Sequence, residues 1–300
     1  MSRRGWILFA LMSVIWGLPY LLIKVAVEDL SPAVLVSART LLAFLLLAPI
    51  AVHRRALRPV LAHWRWLLVF TVLEMGVPWL LLTDAEQRLP SGLTGLLVAT
   101  VPLFAAAAAL FFGDRTVLHP SRLAGLALGV VGVGLLVGFG GDGGGVDLRS
   151  VAQVLLVAVG YATAPFIASR HLSTVPALGV VTASIGLVAV DYLPAGIALR
   201  PDHLPPADSI WAVIALAVIC TAVAFVIFFA LIDEVGPARA TLITFANPAV
   251  ALTLGVVVLG EALTPGLVVG FPVVLGGCWL ASRHDEPADV DVEPPAVAPA

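Results

Sequence analysis

Long apolar segments dominate the sequence, each running for about 20 residues with few charged residues between its ends. A helix needs roughly 20 apolar residues to span the hydrocarbon core of a bilayer. Buried strands of soluble proteins have apolar runs of only about four to eight residues, and membrane barrels alternate apolar with polar residues. Because the segments fit neither of these patterns, the sequence predicts an all-α integral membrane protein.

The composition agrees with a lipid environment. Of the 300 residues, 60% are apolar and 12% are charged, and the mean hydropathy is +1.07. A water-soluble domain with so little charge would aggregate, so the lipid bilayer is the first expected partner. Ten transmembrane helices are predicted, near residues 5–27, 32–52, 64–83, 91–112, 121–140, 148–169, 176–198, 209–232, 238–259 and 264–282.

Basic residues set the predicted orientation. With the N-terminus inside the cell, eleven of the sixteen Lys and Arg residues lie on the cytoplasmic side, as the positive-inside rule requires. We therefore predict a multi-pass protein of the cell inner or plasma membrane with both termini in the cytoplasm. Residues 283–300 are rich in proline and acidic residues, and they are predicted to form a disordered cytoplasmic tail.

The two halves of the chain share landmark residues at a nearly constant spacing. A spacing that drifts so little predicts a duplicated unit of about 145 residues. Chance alignment of two Gly-rich and Leu-rich stretches is the alternative, although the landmarks include prolines and acids rather than aliphatic residues. The landmark pairs, with their spacing in residues, are Trp16 and Gly160 (144), Pro32 and Pro176 (144), Pro102 and Pro248 (146), and Asp114 and Glu261 (147).

Each duplicated unit holds five predicted helices. Because five is an odd number, the second copy starts on the opposite side of the membrane and is inverted. Two inverted copies can exchange conformations and expose one central site to either side in turn. The predicted organisation is a first five-helix repeat over 1–140, a Gly-rich linker over 141–147, a second inverted repeat over 148–282, and the tail.

Several motifs resemble those of a known family. The second half carries Gly236–Pro248 followed by Gly260-Glu261, and the first half carries Ala85–Gly92 followed by Gly113-Asp114. With the opening Ile15-Trp16-Gly17, they resemble in order the EamA branch of the drug/metabolite transporter superfamily. The resemblance implies ten transmembrane helices in two inverted five-helix repeats around a central cavity. It also implies export of metabolites, amino acids or toxic amphiphiles.

Two positions depart from the pattern of that family. Asp114 stands where the family usually has Glu, and Gly160-Tyr161 replaces the Trp-Gly that a strict copy of the first half would have. These departures weaken any inference about the substrate, but they leave the implied fold unchanged.

One acidic residue lies in the middle of a predicted span. Counted from Trp64, Glu74 is about ten residues, or roughly 15 Å, into a helix that crosses roughly 30 Å. A charge at this depth is costly and requires a reason. Either Glu74 binds a proton or a substrate cation during transport, or it is a neutral acid hydrogen-bonded between helices.

The first two spans hold further candidates for the substrate site. Trp16, Tyr20 and Lys24 are four residues apart and form one stripe on the first helix. Trp16 and Tyr20 are predicted to bind substrate, with ordinary packing as the alternative for Trp16, whereas Lys24 either snorkels or pairs with Glu28. Arg39 lies roughly 10 Å into the second span, where it either binds a substrate carboxylate or ties helices together.

Two prolines are predicted hinges. Pro102 and Pro248 each remove a backbone hydrogen bond in mid-span and free a carbonyl upstream. Asn247, next to Pro248, is predicted to contact substrate at such a break. Trp79 and Tyr161 are predicted to complete an aromatic lining, with helix packing as the alternative for each.

Other classes of chemistry find little support in the sequence. The sequence has no Walker motif, no cluster of Cys or His ligands and no recognisable nucleophile–base pair. The glycines of the fifth span are attributed to close helix packing rather than to nucleotide binding. We therefore predict no catalytic residues, no metal or other cofactor and no nucleic-acid partner, and we make no prediction of oligomeric state.

The predicted function is that of a secondary active transporter that exports small organic metabolites, such as amino acids or amphiphilic compounds, by alternating access. Protons are the expected coupling ion if Glu74 titrates. An uncoupled metabolite facilitator is the closest alternative. An integral membrane lipid-modifying enzyme is a weaker one, because the six His residues are scattered rather than gathered at one interface. A membrane scaffold or receptor would need neither an inverted repeat nor a midplane acid.

Overall fold

The computed structural model describes residues 1–111, 118–139 and 145–282. Every regular element in this part of the chain is a helix. Nine of these described helices are long and apolar enough to cross a membrane, and one further apolar helix is shorter. The predicted all-α membrane architecture is therefore confirmed.

The ten helices are numbered in chain order. They are α1 (Arg3–Ala26), α2 (Pro32–His53), α3 (Trp64–Glu86), α4 (Ser91–Phe111), α5 (Pro120–Phe139), α6 (Leu148–Leu172), α7 (Ala177–Ala198), α8 (Ala207–Val235), the shorter α9 (Ile243–Leu259) and α10 (Pro265–Ser282). A short helix, Leu57–Leu61, lies in the connection between α2 and α3, and another, Pro237–Ala240, precedes α9.

The largest difference from the predicted boundaries is at α9, which was expected to begin at residue 238 and begins at Ile243. The chain turns at Thr241 and Leu242. There the hydroxyl and the N–H of Thr244 both donate to the Thr241 carbonyl, at 2.8 and 3.1 Å. These short-range bonds replace the bonds of a continuous helix, as Thr side chains often do, so α9 has only 17 residues.

Two helices have a widened turn inside the membrane. Backbone hydrogen bonding shifts to the i→i+5 pattern at Val72–Gly76 in α3 and at Val218–Val223 in α8. Their first residues are 146 positions apart, and each belongs to the third helix of its half. A third widened turn, Ala168–Leu172, ends α6. Such turns are often found at functional sites.

Helix packing is similar in the two halves. Helix α5 packs against α10, and α2 packs against α7. Helix α1 packs against α8 and α9, and its counterpart α6 packs against α3 and α4. The contacts of α1 with α8 and α9 therefore have equivalents in the contacts of α6 with α3 and α4.

Glycines permit the close packing of α5 against α10. A Cβ added at Gly125 would lie 2.4 Å from the Ala281 nitrogen, and one at Gly277 would lie 2.5 Å from the Gly129 nitrogen. By contrast, a Cβ at Gly134 would meet no atom within 4 Å. Small residues at these crossings let the two backbones approach. The interpretation of the glycines in α5 as packing residues is confirmed for Gly125, Gly129 and Gly132 and is wrong for Gly134.

Candidate substrate site and the ties at the two membrane faces

The helix ends lie at two faces of the molecule. We call the face where α1 begins the Arg3 face and the face where α3 ends the Glu86 face. The side-chain contacts agree with this alternation, because Ser2 at the start of α1 meets Glu234 at the end of α8, while Lys24 at the end of α1 meets the end of α3.

Arg39 is the centre of a buried polar cluster. Its Nε donates to the Thr221 hydroxyl at 3.2 Å, and its Cζ lies 4.0 Å from the centre of the Trp79 ring. Thr221 is in the widened turn of α8, and its own hydroxyl donates to the Leu216 carbonyl at 2.8 Å. Arg39 is only 6% exposed. A guanidinium over an indole face gains about 2 kcal/mol when the pair is desolvated.

Tyr161 packs against this cluster from α6. It contacts the hydrophobic group that contains Trp79 and also the one that contains Tyr20. The preceding Gly160 allows the approach, since a Cβ there would lie 2.4 Å from the Leu73 carbonyl oxygen of α3. The Gly160-Tyr161 departure from the family motif therefore has a structural reason. We call Arg39, Trp79, Tyr161 and Thr221 the Arg39 cluster.

Glu74 lies in the widened turn of α3, at the middle of a 23-residue span. Its Oε2 is buried and has no hydrogen-bond partner among the described residues. Tyr161 is within electrostatic range of the carboxylate. The alternative prediction, that hydrogen bonds between helices hold Glu74, is therefore not supported for Oε2.

Glu86 is a second buried acid, which the sequence analysis did not single out. It is fully buried, and neither carboxylate oxygen has a hydrogen-bond partner in the described part of the chain. Lys24, Glu261 and Arg39 are within electrostatic range. The predicted span ended at residue 83, but α3 continues to Glu86. Glu86 is seven residues from Trp79, so both lie on one face of the helix. This spacing is the sequence pattern from which Glu86 could have been predicted as a site residue.

Lys24 binds backbone rather than a carboxylate. Its Nζ donates to the carbonyls of Glu86 and Leu89, at 2.8 and 3.0 Å. These carbonyls are at the C-terminal end of α3, where a cation is favoured by the helix dipole. The expected alternative of a pair with Glu28 is wrong, and Lys24 instead ties α1 to α3.

Trp16 and Asn247 lie where α1 packs against α8 and α9. The Trp16 ring packs against Phe228 and Phe225 of α8, with centroids 4.7 and 6.0 Å apart. The Asn247 amide, in the orientation that satisfies its neighbours, donates to the Ser13 carbonyl of α1 at 3.2 Å. Both side chains therefore join α1 to the second half.

Tyr20 lies nearer the Arg39 cluster than these two residues do. It is buried in the hydrophobic group against which Tyr161 also packs, and its ring is 3.5 Å from where a Cβ at Gly95 of α4 would lie. Of the seven predicted substrate residues, the structure brings together Arg39, Trp79 and Tyr161, with Tyr20 beside them and Glu74 in electrostatic range of Tyr161.

The two predicted hinge prolines differ in their surroundings. Helix α4 is interrupted at Ala99 and Thr100, just before Pro102, and the Cys278 thiol donates to the Ala99 carbonyl at 3.1 Å. Pro248 lies inside the uninterrupted helix α9, so no break accompanies it. The preceding Asn247 side-chain amide also donates to the Ile243 carbonyl of the same helix, at 2.9 Å, whereas the carbonyl that Pro248 leaves without its helical donor is that of Thr244.

Arg88 holds α3 to α6 at the Glu86 face. It donates to Asp84 at 2.6 Å, to Asp147 at 3.0 Å and to Ser150 at 2.8 Å. The hydrogen bond with Asp84 raises the pKa of Arg88. Hydrogen bonds from Ser150 and then Arg88 lower the pKa of Asp147. This tie, which we call the Arg88 network, borders a cavity of about 400 Å³ that also includes Glu261.

Glu234 holds α1 to α8 at the Arg3 face. The Ser2 hydroxyl donates to its Oε1 at 2.5 Å, and the Arg4 guanidinium lies 3.7 Å from its Oε2. Ser2 is also the N-cap of α1, where its hydroxyl accepts from the Gly5 N–H at 2.9 Å. We call this the Glu234 tie.

The two ties occupy equivalent positions in the two halves. Asp147 caps α6 as Ser2 caps α1, accepting from the Ser150 N–H at 3.1 Å, and the two caps are 145 residues apart. Arg88 lies two residues after the end of α3, Glu234 is the last residue but one of α8, and the two are 146 residues apart. The same helix ends are therefore joined on opposite faces, with different chemistry.

A family model described as the EamA-like transporter family matches the chain twice, over residues 3–138 and 148–283. The chain belongs to the EamA-like transporter family. This membership confirms the resemblance drawn from the motifs. The protein is thus a multi-pass membrane transporter of the drug/metabolite transporter type.

Similar proteins agree with this membership. The inner membrane transporter YedA of Escherichia coli (strain K12) is 30% identical over 286 residues, covering 89% of this chain and 88% of YedA. A probable amino-acid metabolite efflux pump of Salmonella typhimurium (strain LT2) is 25% identical, covering 93% of this chain and 95% of that pump. One crystal structure shares the fold, with a TM-score of 0.65 at 20% identity over 94% of this chain and 97% of its own.

In this EamA-like transporter, the motif acid of the second half has a defined structural role. The Glu261 carboxylate accepts from the N–H groups of Ser91 and Gly92, at 2.6 and 3.0 Å. These N–H groups begin α4, where a helix favours an anion. Glu261 therefore joins the α9–α10 connection to the first half. The corresponding motif residues of the first half, Gly113 and Asp114, lie outside the described residues.

Proposed function

We propose that this EamA-like transporter is a secondary active exporter of small organic metabolites, either amino acids or amphiphilic compounds, that works by alternating access. The observation that carries the proposal is the pair of equivalent ties, one on each face. Its supporting relatives include the probable amino-acid metabolite efflux pump. An uncoupled facilitator is the alternative that the experiment below distinguishes.

The first part of the proposal is that the chain consists of two inverted repeats of five helices each. The family model matches once in each half, and the widened turns of α3 and α8 start 146 residues apart. The packing of α1 on α8 and α9 has its equivalent in the packing of α6 on α3 and α4. Such equivalence supports two copies related by a pseudo-two-fold axis in the membrane plane.

Alternating access is the second part. The Glu234 tie joins α1 to α8 at the Arg3 face, and the Arg88 network joins α6 to α3 at the Glu86 face. Because these are equivalent helix pairs, a movement that separates one pair can close the other. The centre between them is packed in this structure, since Arg39, Trp79 and Tyr20 are all buried. Opening one tie would give substrate access from one face only.

The Arg3 face is proposed to be cytoplasmic. The exposed basic residues of this face include Arg54, Arg55, Arg58 and Arg65, whereas the Glu86 face carries Arg149 and Arg200. This asymmetry agrees with the positive-inside rule. Residues 1–140 and 148–282 are proposed as the two repeats, joined at the Glu86 face and followed by a cytoplasmic tail.

The Arg39 cluster and the two buried acids are proposed to form the substrate site. Arg39 uses one N–H for Thr221, and a guanidinium has five N–H donors that suit a carboxylate. Trp79 and Tyr161 supply aromatic surface beside it. Trp16, Tyr20 and Asn247 are proposed to join the lining when α1 moves, and Pro102 and Pro248 are proposed hinges.

Glu74 is proposed to bind the coupling proton. An ionised carboxylate in the middle of a span is costly, and a bound proton removes that cost. Its position in the widened turn of α3, beside Tyr161, links it to the substrate site.

Proteoliposomes test this function directly. Wild-type protein is expected to accelerate the efflux of an amino acid from a panel when a proton gradient is imposed. Glu74→Gln is expected to keep residual flux but to lose its dependence on the gradient, whereas Asp202→Asn, an exposed loop change, retains it. Gradient-independent flux in the wild type would indicate a facilitator, and unchanged dependence in Glu74→Gln would remove Glu74 as the coupling group.

A further inference from the structure

A lateral groove opens between α2, α7 and the connection of α2 to α3. Its volume is about 700 Å³, which lies within the usual range of ligand pockets, and its lining side chains are aliphatic or aromatic. Leu41 and Phe44 of α2 form one wall, and Leu187 and Val190 of α7 form the other. Val190 is 72% exposed, so the groove is open to the lipid.

Two glycines of α7 shape this groove. A Cβ at Gly186 would lie 2.7 Å from the Phe44 ring, so the absence of a side chain there makes room for Phe44 on the floor. A Cβ at Gly179 would lie 2.1 Å from the Ala56 carbonyl oxygen, so glycine lets the α2–α3 connection dock on α7. The groove is therefore a built feature with a fixed end at the Arg3 face.

The groove starts at the Arg3 face and extends past the bilayer midplane. Along α7 its lining runs from Ala183 to Leu193, which lie about 9 and 24 Å from the start of the helix at that face. The part of the groove up to the midplane, at roughly 15 Å, therefore lies in the leaflet at the Arg3 face. At the Arg3 face the lining ends on Leu57 and Leu61 of the connection and on Trp64, the first residue of α3.

The same connection is strongly basic. Residues 53–66 contain four arginines and two histidines and no acidic residue. Arg54, Arg55, Arg58 and Arg65 are exposed, and no carboxylate of the described residues lies within 4 Å of them. Arg58 and Arg65 each follow directly after a residue that lines the groove, and the Arg65 guanidinium lies 5.5 Å from the Trp64 ring centre.

We propose that this groove binds an anionic phospholipid of the leaflet at the Arg3 face. One acyl chain lies in the groove against Phe44 and α7, and the headgroup phosphate binds the arginines of the α2–α3 connection. Clustered basic residues next to a transmembrane helix attract anionic lipids at about 1 kcal/mol per residue, or roughly fivefold in affinity. The site does not depend on the proposed transport activity.

Charge favours a lipid, rather than a second copy of the protein, as the occupant of the groove. A second copy meeting the groove through its own equivalent surface would bring two arginine clusters together without acids between them. A phospholipid offers the phosphate that the cluster lacks and the chain that the groove fits. The proposal thus explains why an apolar groove ends in arginines.

Native mass spectrometry of the full-length protein in detergent tests this site. Dioleoylphosphatidylglycerol and dioleoylphosphatidylcholine are added in equal amounts, because they share chains and differ in headgroup charge. The wild type is expected to retain the anionic lipid in preference. Arg58→Gln with Arg65→Gln is expected to lower this preference about fivefold per arginine, while the matched Arg200→Gln change at the opposite face leaves it unchanged.

Two further variants separate the contribution of the lipid headgroup to binding from that of the acyl chain. Val190→Trp, which fills the exposed edge of the groove, is expected to reduce retention of both lipids alike. Arg58→Lys with Arg65→Lys keeps the charge and is expected to keep the preference, which controls for misfolding. Equal retention of the two lipids by the wild type, or the same loss from Arg200→Gln as from the double Gln variant, would overturn the proposal. So would unchanged retention in Val190→Trp.

Discussion

Glu86 is the residue whose environment most needs a functional explanation. A fully buried carboxylate without a hydrogen-bond partner among the described residues destabilises a fold. Arg39 and Lys24 are in electrostatic range, but neither forms an ion pair within 4 Å with it. Groups of this kind are retained where a ligand or proton satisfies them during a cycle.

Replacing Glu86 with Gln separates these roles. If the carboxylate binds a cationic group of the substrate, Glu86→Gln removes a charge-assisted hydrogen bond worth about 1.5–3 kcal/mol, and substrate flux falls at least about tenfold. Because an unpaired charge is removed, we expect the thermal unfolding midpoint to stay constant or rise. The exposed Glu28→Gln change is the control. Full flux, or a lower midpoint, would contradict a role in binding.

Asp147 makes the Glu86 face sensitive to acid. Its pKa is below its ordinary value of 3.8, first because Ser150 donates to it and also because Arg88 does. The stabilisation is therefore present above that ordinary value and is lost as the pH falls through the lowered one. We expect the unfolding midpoint of wild type to exceed that of Asp147→Asn at pH 6, with the difference shrinking below about pH 4. A constant difference would show that the carboxylate charge is not involved; Asp202→Asn serves as control.

At the scale of elements, the crossing of α5 and α10 depends on side-chain volume. Gly125→Val would place atoms where α10 backbone lies, so we expect a loss of about 1–3 kcal/mol in unfolding free energy and a lower thermal midpoint. Gly134→Val is the matched control on the same helix, because a Cβ there meets no atom within 4 Å. Equal midpoints for the two variants would exclude this packing role.

The widened turns of α3 and α8 place polar groups where a regular helix would not. One carries Glu74, and the other carries Thr221, which accepts from Arg39. Glu74 is in electrostatic range of Tyr161, and Thr221 contacts Arg39, so both turns contribute a polar group near the Arg39 cluster. The proposed substrate site therefore includes residues from the third helix of each half.

At the scale of the whole molecule, the two ties are expected to open in turn. Cysteines at positions 2 and 234 close the Arg3 face when linked by a short bis-thiosulfonate, and cysteines at 88 and 147 close the Glu86 face. We expect each link to stop flux and reduction to restore it. Each link is also expected to leave the opposite face open to a membrane-impermeant thiol reagent directed at an added cysteine. Continued flux through both linked proteins would contradict alternation.

Much of the architecture could be predicted from the sequence. The long apolar runs defined the helices, because spanning lipid needs a length and a composition that are both local properties. Glu74 was recognisable for the same reason, since an acid in mid-span stands out by depth alone. The family motifs were likewise local, and the membership they implied is confirmed.

The partners of the polar residues were decided by tertiary structure. Arg39 donates to Thr221 and lies over the Trp79 ring, and Lys24 caps α3 rather than pairing with Glu28. Contacts of this kind join residues far apart in sequence, and helix period alone does not specify them.

The remaining differences between the predicted and the observed site concern properties that the sequence of one helix does not determine. Glu86 was missed because the end of α3 is set by its packing and by Lys24, not by hydropathy. Trp16 packs on Phe225 and Phe228 of α8, and Asn247 donates to Ser13 of α1, contacts that the period of a single helix does not specify. The sequence by itself determined which segments lie in lipid, because burial in a bilayer depends on each segment alone. Only the tertiary structure decided which charges meet, because that depends on how all the helices pack.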